Sequence, residues 1–92
     1  MIDEVLTGPA DSDVLQVARR YSGGITASGA FSVQLQRKLV GHTTWGVVAT
    51  YADTDDTTQF DGEHFVGGSR EVEYRYRVVS GSNVHVWLAA PG

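Results

Sequence analysis

The sequence contains no cysteine, and that absence excludes several kinds of chemistry. Without thiols the chain has no disulfide framework, no thiolate ligand for a metal ion and no cysteine nucleophile. Long hydrophobic stretches are also missing: the apolar runs are only a few residues long, far short of the roughly 20 that a membrane-spanning helix needs. The sequence therefore predicts no membrane partner, and its 92 residues suit one domain with a single hydrophobic core.

Positive charge is scarce, and both signs are unevenly placed along the chain. Seven basic residues are outnumbered by eleven acidic ones, and the net charge of −4 argues against nucleic-acid binding, because neutralising phosphates supplies most of that affinity. Residues 1–13 and 53–63 carry acids without a base, whereas residues 14–52 carry bases without an acid: Arg19, Arg20, Arg37 and Lys38. Blocks of opposite sign suit head-to-tail packing of copies. Alternatively, the blocks face solvent or pair within the molecule, where such pairs contribute little.

Helix signals are almost absent, whereas apolar and polar residues alternate with the period of two that is typical of β-strands. The clearest alternation is in residues 30–38, where Phe31, Val33 and Leu35 point to one side and the polar residues to the other. Glycine-containing turn signals separate the segments. Strands are predicted at residues 14–20, 25–27, 30–38, 45–52, 57–60, 70–79 and 84–90. Six or seven short strands predict an all-β fold, a small antiparallel β-sandwich, with a small barrel as the alternative.

The N-terminal segment is predicted to be separate from the sandwich. Gly8-Pro9 interrupts the chain, so residues 1–13 are interpreted as an N-terminal arm and residues 14–92 as the β-sandwich domain. The arm contains three apolar residues that need a surface to pack on: Ile2, Val5 and Leu6. A free arm loses roughly 1–2 kcal/mol of conformational entropy per residue when it orders, so a neighbouring subunit or another protein must supply the contacts. The basic block of residues 14–52 is the predicted target on a neighbouring copy.

One buried cluster is predicted from the inward-facing positions of the strands. Trp45 is interpreted as a core anchor at the start of a strand, with Val47 on the same side. The predicted core is Phe31, Val33, Leu35, Trp45, Val47, Tyr74, Tyr76, Val78, Val86 and Leu88.

The last two strands are predicted to form a hairpin. A three-residue loop at 81–83, with Asn83 in the left-handed conformation, keeps the apolar faces of both strands on one side. In that register Arg77 lies beside Trp87 on the outer face. The resulting candidate interface consists of Arg77, His85 and Trp87. A two-residue turn at 81–82 is the alternative, but it mixes charge into the apolar face.

No pattern in the sequence predicts a catalytic or metal site. The acidic run at 53–56 begins like an EF-hand loop, but Thr58 and His64 stand where that loop needs glycine and glutamate. The three histidines lack the close spacing on one element that metal sites usually show. Serines lie in glycine-rich turns without a nucleophile-elbow pattern, and no glycine cluster forms a phosphate-binding loop. The sequence therefore predicts a non-enzymatic protein without a cofactor, and a looser calcium site in the acidic loop is the alternative.

Three segments of the chain resemble small virion proteins of tailed bacteriophages. Residues 31–37 read F-S-V-Q-L-Q-R, and residues 44–48, after a glycine turn, read T-W-G-V-V. Residues 74–81 follow an acidic loop and read Y-R-Y-R-V-V-S-G. This late strand is also similar to the corresponding strand of fibronectin type III and immunoglobulin-like sandwiches. His42 departs from the pattern, since an Asp-Gly type of turn is expected there.

The resemblance implies a structural protein of the virion that is present in many copies, with a capsid decoration protein as the first expectation. It implies the major capsid protein or other virion proteins as partners, and copies that form a homo-oligomer or an array. A tail or head–tail component is the alternative within the same class. A carbohydrate-binding or adhesion module is the alternative from another class, with Trp87 and the acidic loop as its binding site.

Overall fold

The computed structural model describes residues 1–18, 20–53, 57–63 and 72–90, with residues 53, 57–61 and 63 described by their backbone alone. These residues form nine β-strands and no helix. The strands are β1 (Ile2–Leu6), β2 (Ala10–Asp11), β3 (Leu15–Val17), β4 (Arg20–Thr26), β5 (Phe31–Leu39), β6 (Gly46–Asp53), β7 (Thr57–Glu63), β8 (Val72–Ser80) and β9 (Val84–Ala89).

The strands assemble into two antiparallel sheets. Sheet A has the order β1-β9-β4-β7, and sheet B has the order β2-β8-β5-β6, with β3 also pairing with β8. Their inner faces pack around one core, so the predicted small antiparallel β-sandwich is confirmed. The described strands outnumber the six or seven expected, because residues 1–13 contribute β1 and β2. β4 joins the end of the predicted strand at 14–20 to the strand predicted at 25–27.

The core is built from the inward-facing alternate residues of both sheets. In β8 every second residue from Val72 to Val78 is at most 3% exposed. All of the predicted core residues are buried except Trp45 and Val47. The buried apolar residues are Ile2, Val17, Tyr21, Ile25, Ala27, Phe31, Val33, Leu35, Val72, Tyr74, Tyr76, Val78, Val84, Val86 and Leu88.

A β-bulge explains why Trp45 and Val47 lie outside the core. Between two consecutive residues of β5, the pairing partner in β6 jumps from Ala49 to Val47, so Val48 is an extra residue. The alternation of β6 is reversed there: Val48 packs against the core, whereas Val47 is 54% exposed. Trp45 accordingly lies half-buried over the outer face of sheet B. The prediction failed because the alternation within one strand does not reveal a residue inserted relative to its neighbour.

The prediction of a separate N-terminal arm is wrong, because residues 1–13 belong to the sandwich. β1 pairs along its whole length with β9, and β2 pairs with β8. Ile2 is 1% exposed and Leu6 packs against the core, whereas Val5 points outward and is 62% exposed. The apolar residues of this segment are therefore buried against strands of their own domain, and the chain passes from sheet A to sheet B between β1 and β2.

The predicted hairpin of the last two strands is also wrong, because β8 and β9 lie in different sheets. Asn83 does adopt the left-handed conformation, with a φ of 52°, and Gly81 has a φ of 123°. The loop that contains them carries the chain across the sandwich instead of back along one sheet. The apolar faces of both strands nevertheless point inward as predicted, since an apolar face seeks the core whichever sheet its strand joins.

One tyrosine joins the two sheets directly. Tyr76 extends from β8 in sheet B, and its Oη donates a hydrogen bond of 2.8 Å to the carbonyl oxygen of Trp87 in sheet A. This approach requires a glycine in β4, because a Cβ on Gly23 would lie 2.5 Å from the Tyr76 Oη. Burial raises the pKa of the Tyr76 hydroxyl well above its ordinary value.

Two further tyrosines, one from each sheet, pack against each other in the core. The rings of Tyr21 and Tyr74 have their centroids 4.6 Å apart. Burial, followed by the interaction with Tyr74, raises the pKa of Tyr21 to about 12. A Cβ on Gly62 of β7 would overlap the Tyr21 ring, so this strand also approaches its neighbour through a glycine. The interior therefore holds hydroxyl groups that resist ionisation.

Replacing Leu35 by alanine is expected to lower the free energy of unfolding by about 2–5 kcal/mol, because it removes buried methyl groups and leaves a cavity. Val47→Ala, on the neighbouring strand, is the matched control and is expected to cost less than about 1 kcal/mol, since its side chain is exposed. Urea unfolding followed by circular dichroism measures both values. Equal costs for the two variants would contradict the assignment of the faces.

Alkaline pH is expected to destabilise the protein through its buried tyrosines. Because the pKa values of Tyr21 and Tyr76 are raised in the folded state, these hydroxyls keep their protons while the same groups in the unfolded chain ionise near pH 10. The unfolded state then binds fewer protons. Stability is therefore complete below about pH 10 and falls as the pH rises toward about 12, by about 1.4 kcal/mol per pH unit for each tyrosine.

Tyr76→Phe separates the two roles of this hydroxyl. At neutral pH the variant is expected to lose about 1–3 kcal/mol, because the Trp87 carbonyl oxygen is left without its donor. Above about pH 10 its stability should fall less steeply than that of the wild type, since one ionising group is gone. Urea unfolding at a series of alkaline pH values measures both effects. An unchanged slope would mean that Tyr76 ionises normally in the folded protein.

Candidate functional site

The outer face of sheet B carries an ordered polar surface that follows from strand alternation. The apolar residues of β5 and β8 point into the core, so the residues between them point outward. The register of the two strands sets Gln34 beside Arg77, Gln36 beside Arg75, and Lys38 beside Glu73. Each of these pairs sets a cationic side chain on one strand beside a polar or acidic side chain on the other.

A chain of hydrogen bonds and ion pairs connects these rows. Asp11 of β2 accepts a hydrogen bond of 2.9 Å from Arg77 Nη1, and its other carboxylate oxygen lies 3.6 Å from Arg75 Nη1. Arg75 Nε donates to Gln36 Oε1 at 2.8 Å, and Gln36 Nε2 donates to Gln34 Oε1 at 3.0 Å. Gln36 is only 7% exposed although it points outward, so the surrounding side chains cover it. The network fixes the direction of each polar group that it includes.

Trp45 lies over the cationic side chains of this surface. The guanidinium carbon of Arg75 is 4.3 Å from the centre of its ring, and Lys38 Nζ is 5.3 Å away. The Lys38 ammonium also forms an ion pair of 2.8 Å with Glu73 and donates to the carbonyl oxygen of His42 at 2.8 Å. Trp45 is thus held by cation–π contacts at the start of β6 and does not serve as a core anchor.

We name this surface the basic face; its residues are Asp11, Gln34, Gln36, Lys38, Trp45, Glu73, Arg75 and Arg77. Its three cations and two acids give a charge of +1, whereas the whole chain carries −4. The remaining residues therefore carry −5. Because these ion pairs are partly exposed, each contributes little to stability. Their effect is to order side chains before any partner arrives, which reduces the entropy lost on binding.

The structure does not bring the predicted basic block together on one surface. Lys38 belongs to the basic face. Arg20 begins β4 and points outward from sheet A, since the next residue faces inward. Arg37 pairs with Tyr74 near the end of β5 and is exposed, and its charge slightly offsets the burial that raises the pKa of Tyr21. Arg19 lies outside the described residues.

The predicted patch of Arg77, His85 and Trp87 is divided between the two outer faces. Arg77 belongs to the basic face, whereas His85 and Trp87 point outward from sheet A on the opposite side of the sandwich. His85 Nε2 lies 2.5 Å from Oδ1 of Asp3 on β1. Trp87 pairs with Gly24 of β4, and a ring beside a glycine covers backbone that would otherwise be open to water. His85 and Trp87 therefore contact the neighbouring strands of sheet A as well as the solvent.

The carbohydrate and calcium alternatives both depend on the acidic loop and stay predictions. Residues 54–56 and His64 lie outside the described part of the chain. Among the described residues, no group of three or more His, Asp or Glu side chains is arranged to hold a metal ion. The described strands and loops also include no helix that is long and apolar enough to cross a membrane.

The chemistry that the basic face offers is recognition. Arginine presents planar N–H donors that match carboxylates, and glutamine amides can both donate and accept. Arg75 and Arg77 share one carboxylate, that of Asp11, and their two guanidinium groups carry more N–H donors than one carboxylate can accept from.

Sequence reasoning identified Lys38 and Arg77 but missed the other polar members of the basic face. The outward alternation of β5 and β8 was a sufficient signal for Gln36 and Arg75. It did not reveal that these strands are neighbours, because strand order depends on the whole fold. The contribution of Asp11 depends on β2 joining sheet B, which the arm interpretation excluded.

A comparison of the chain with protein-family models, curated proteins and solved structures finds no match.

The contact between Trp45 and Arg75 is expected to have a coupling energy of about 0.5–1 kcal/mol, the range of cation–π pairs at exposed sites. A double-mutant cycle of Trp45→Ala and Arg75→Ala, measured by urea unfolding with circular dichroism, gives this value. The control cycle combines Arg75→Ala with Thr44→Ala, because Thr44 is exposed and adjacent to Trp45 in the chain. A coupling as large in the control cycle would contradict a specific contact.

Proposed function

We propose that this protein is a non-enzymatic structural component of a tailed-bacteriophage virion, a capsid decoration protein present in many copies. The observation that carries the proposal is the position of the residues that resemble such proteins. Residues 31–37 lie in β5, residues 74–81 lie largely in β8, and residues 44–48 lead into β6, so the three segments are neighbours in sheet B. The resemblance therefore falls on neighbouring strands of one sheet, and five of the eight residues of the basic face belong to these segments: Gln34, Gln36, Trp45, Arg75 and Arg77.

The physical properties of the basic face support attachment to a protein surface. Its donors are held by Asp11 and Gln36 in the free protein, so little ordering is needed on binding. Its positive charge on an acidic protein favours a partner region rich in carboxylates and also orients the protein during approach. A major capsid protein that presents acidic side chains on the outside of the particle is the partner that this argument favours.

Quantitative mass spectrometry of purified virions is the direct test. We expect the protein in a fixed ratio to the major capsid protein, with many copies in each particle. A few copies that separate with isolated tails would instead identify a tail or head–tail component. Absence from the particle, with the protein present in infected cells, would contradict the proposal.

Binding to particles that lack the protein tests the role of the basic face. Arg75→Ala is expected to weaken binding at least about tenfold, because it removes a cation that contacts both Asp11 and Trp45. Arg20→Ala, which removes the same charge from the opposite side of the sandwich, is the matched control and should bind like the wild type. Raising the salt concentration should reduce the difference between the two variants. Equal losses in both variants would exclude the basic face as the attachment surface.

A further inference from the structure

The edges of the two sheets differ in how well they are protected against pairing with another strand. At one edge of sheet A, β1 directs Glu4 inward, where its carboxylate accepts a hydrogen bond from the Asp13 backbone N–H. At one edge of sheet B, β2 and β3 are only two and three residues long. Inward charges and short strands both discourage edge-to-edge association. β7, at the other edge of sheet A, includes Asp61 and Glu63 in its sequence.

β6 lacks most of these protections. It is eight residues long and forms the other edge of sheet B, where β5 is its one neighbour among the described strands. Its sequence contains no proline and a single charge, at Asp53. The bulge at Val48 distorts its beginning, but residues 49–53 pair with β5 in unbroken register. This straight stretch of β6 is an open edge.

The hydrogen-bonding pattern of sheet B identifies which backbone groups face that edge. The Tyr76 N–H donates to Ser12 Oγ and its carbonyl accepts from the Ser12 N–H, so both groups of Tyr76 point away from β5. In antiparallel sheets these directions alternate from residue to residue and from strand to strand. Leu35, which pairs with Tyr76, therefore directs its groups toward β6, as does every second residue of β5.

The same alternation continues into β6. Ala49, Tyr51 and Asp53 bond to β5, because they pair with Leu35 and the alternate residues of β5 that precede it. Thr50 and Ala52 consequently direct their N–H and C=O groups to the open edge. Their side chains are small and exposed on the outer side of the sheet, so a second strand can approach closely.

We propose that β6 pairs antiparallel with β6 of a second copy of this chain, with Tyr51 at the centre of the two-fold pairing. In this register Thr50 lies opposite Ala52 of the second copy, and Ala52 lies opposite Thr50. The backbone N–H and C=O groups that Thr50 and Ala52 direct to the open edge then pair with those of the second copy, and four hydrogen bonds form. The one charged residue of the stretch, Asp53, falls opposite Ala49 in this register, so the two Asp53 residues lie at opposite ends of the paired strands. The edge is therefore complementary to itself, as a two-fold interface requires.

This inference does not rest on the proposed function, since it concerns the isolated protein in solution. A five-residue strand pair buries less than the roughly 1,200 Å² of a standard interface, so the dimer is weak and depends on protein concentration. Sedimentation velocity over a range of concentrations should show the mass rising from 9.9 kDa toward twice that value.

Amide hydrogen exchange followed by NMR gives the more specific readout. The N–H groups of Thr50 and Ala52 should exchange quickly in dilute protein and become protected as the concentration rises. Those of Ala49 and Tyr51 should be protected at every concentration, because they bond to β5. This odd–even pattern is expected from strand pairing, whereas contact through a side-chain surface would not produce it.

Thr50→Lys is expected to raise the dissociation constant of the dimer at least about tenfold, because a lysine on an edge strand opposes pairing. Thr44→Lys adds the same charge at an exposed loop position and is the matched control. Ala52→Pro, which removes an outward N–H without adding charge, should give a comparable loss. Circular dichroism establishes that each variant is folded.

Two outcomes would overturn the proposal. The first is a monomer at all concentrations in which Thr50 and Ala52 exchange at constant rates. The second is a monomer whose Thr50 and Ala52 amides become protected only when particles or another protein are added, which would assign the edge to a strand of a different chain. The composition of purified virions, measured separately, bears on the proposed function and not on this pairing.

Discussion

The backbone and side chain of Tyr76 together fix the arrangement of three separate parts of the fold. Its hydroxyl reaches across the interior to the Trp87 carbonyl oxygen and so sets the distance between the two sheets. Its backbone N–H and C=O hold Ser12, which lies between β2 and β3 at the edge of sheet B. Gly23 is required on the opposite sheet because the hydroxyl occupies the space of a side chain there. A buried hydroxyl without a hydrogen-bond partner destabilises the folded state. A substitution at Tyr76 or at Gly23 therefore affects the packing at the other position.

The position of the basic face depends on the same residue. Alternation along β8 directs Arg75 and Arg77 outward because Tyr76 between them points inward. The two hydrogen bonds between the Tyr76 backbone and Ser12 also position the preceding residue, Asp11, so that its carboxylate contacts both arginines. The interior and the surface of sheet B are therefore coupled: a change in the packing of Tyr76 alters the spacing of the charges outside.

Period-two alternation predicted the all-β class and most of the core, because burial of one strand face is a local property that the sequence encodes directly. Strand pairing is a different kind of information. The register of β6 depends on one inserted residue, Val48, and the assignment of β8 and β9 to different sheets depends on a loop that fits either a hairpin or a crossing. The basic face was recognised only in part for the same reason. Gln36 and Asp11 contact Arg75 because β5 and β2 are both neighbours of β8.

The place of β9 in sheet A has a consequence for how the protein folds. The last strand of the chain is inserted between β1, the first, and β4, so it is an interior strand of that sheet. Until it arrives, β1 lacks the one partner that it has among the described strands, and the core residues of β9 are missing. Contacts between such distant parts of a chain form slowly, and during synthesis they must wait until the final strand leaves the ribosome. We therefore expect the sandwich to close only when β9 is in place, and a chain interrupted before residue 84 lacks the strand with which β1 pairs.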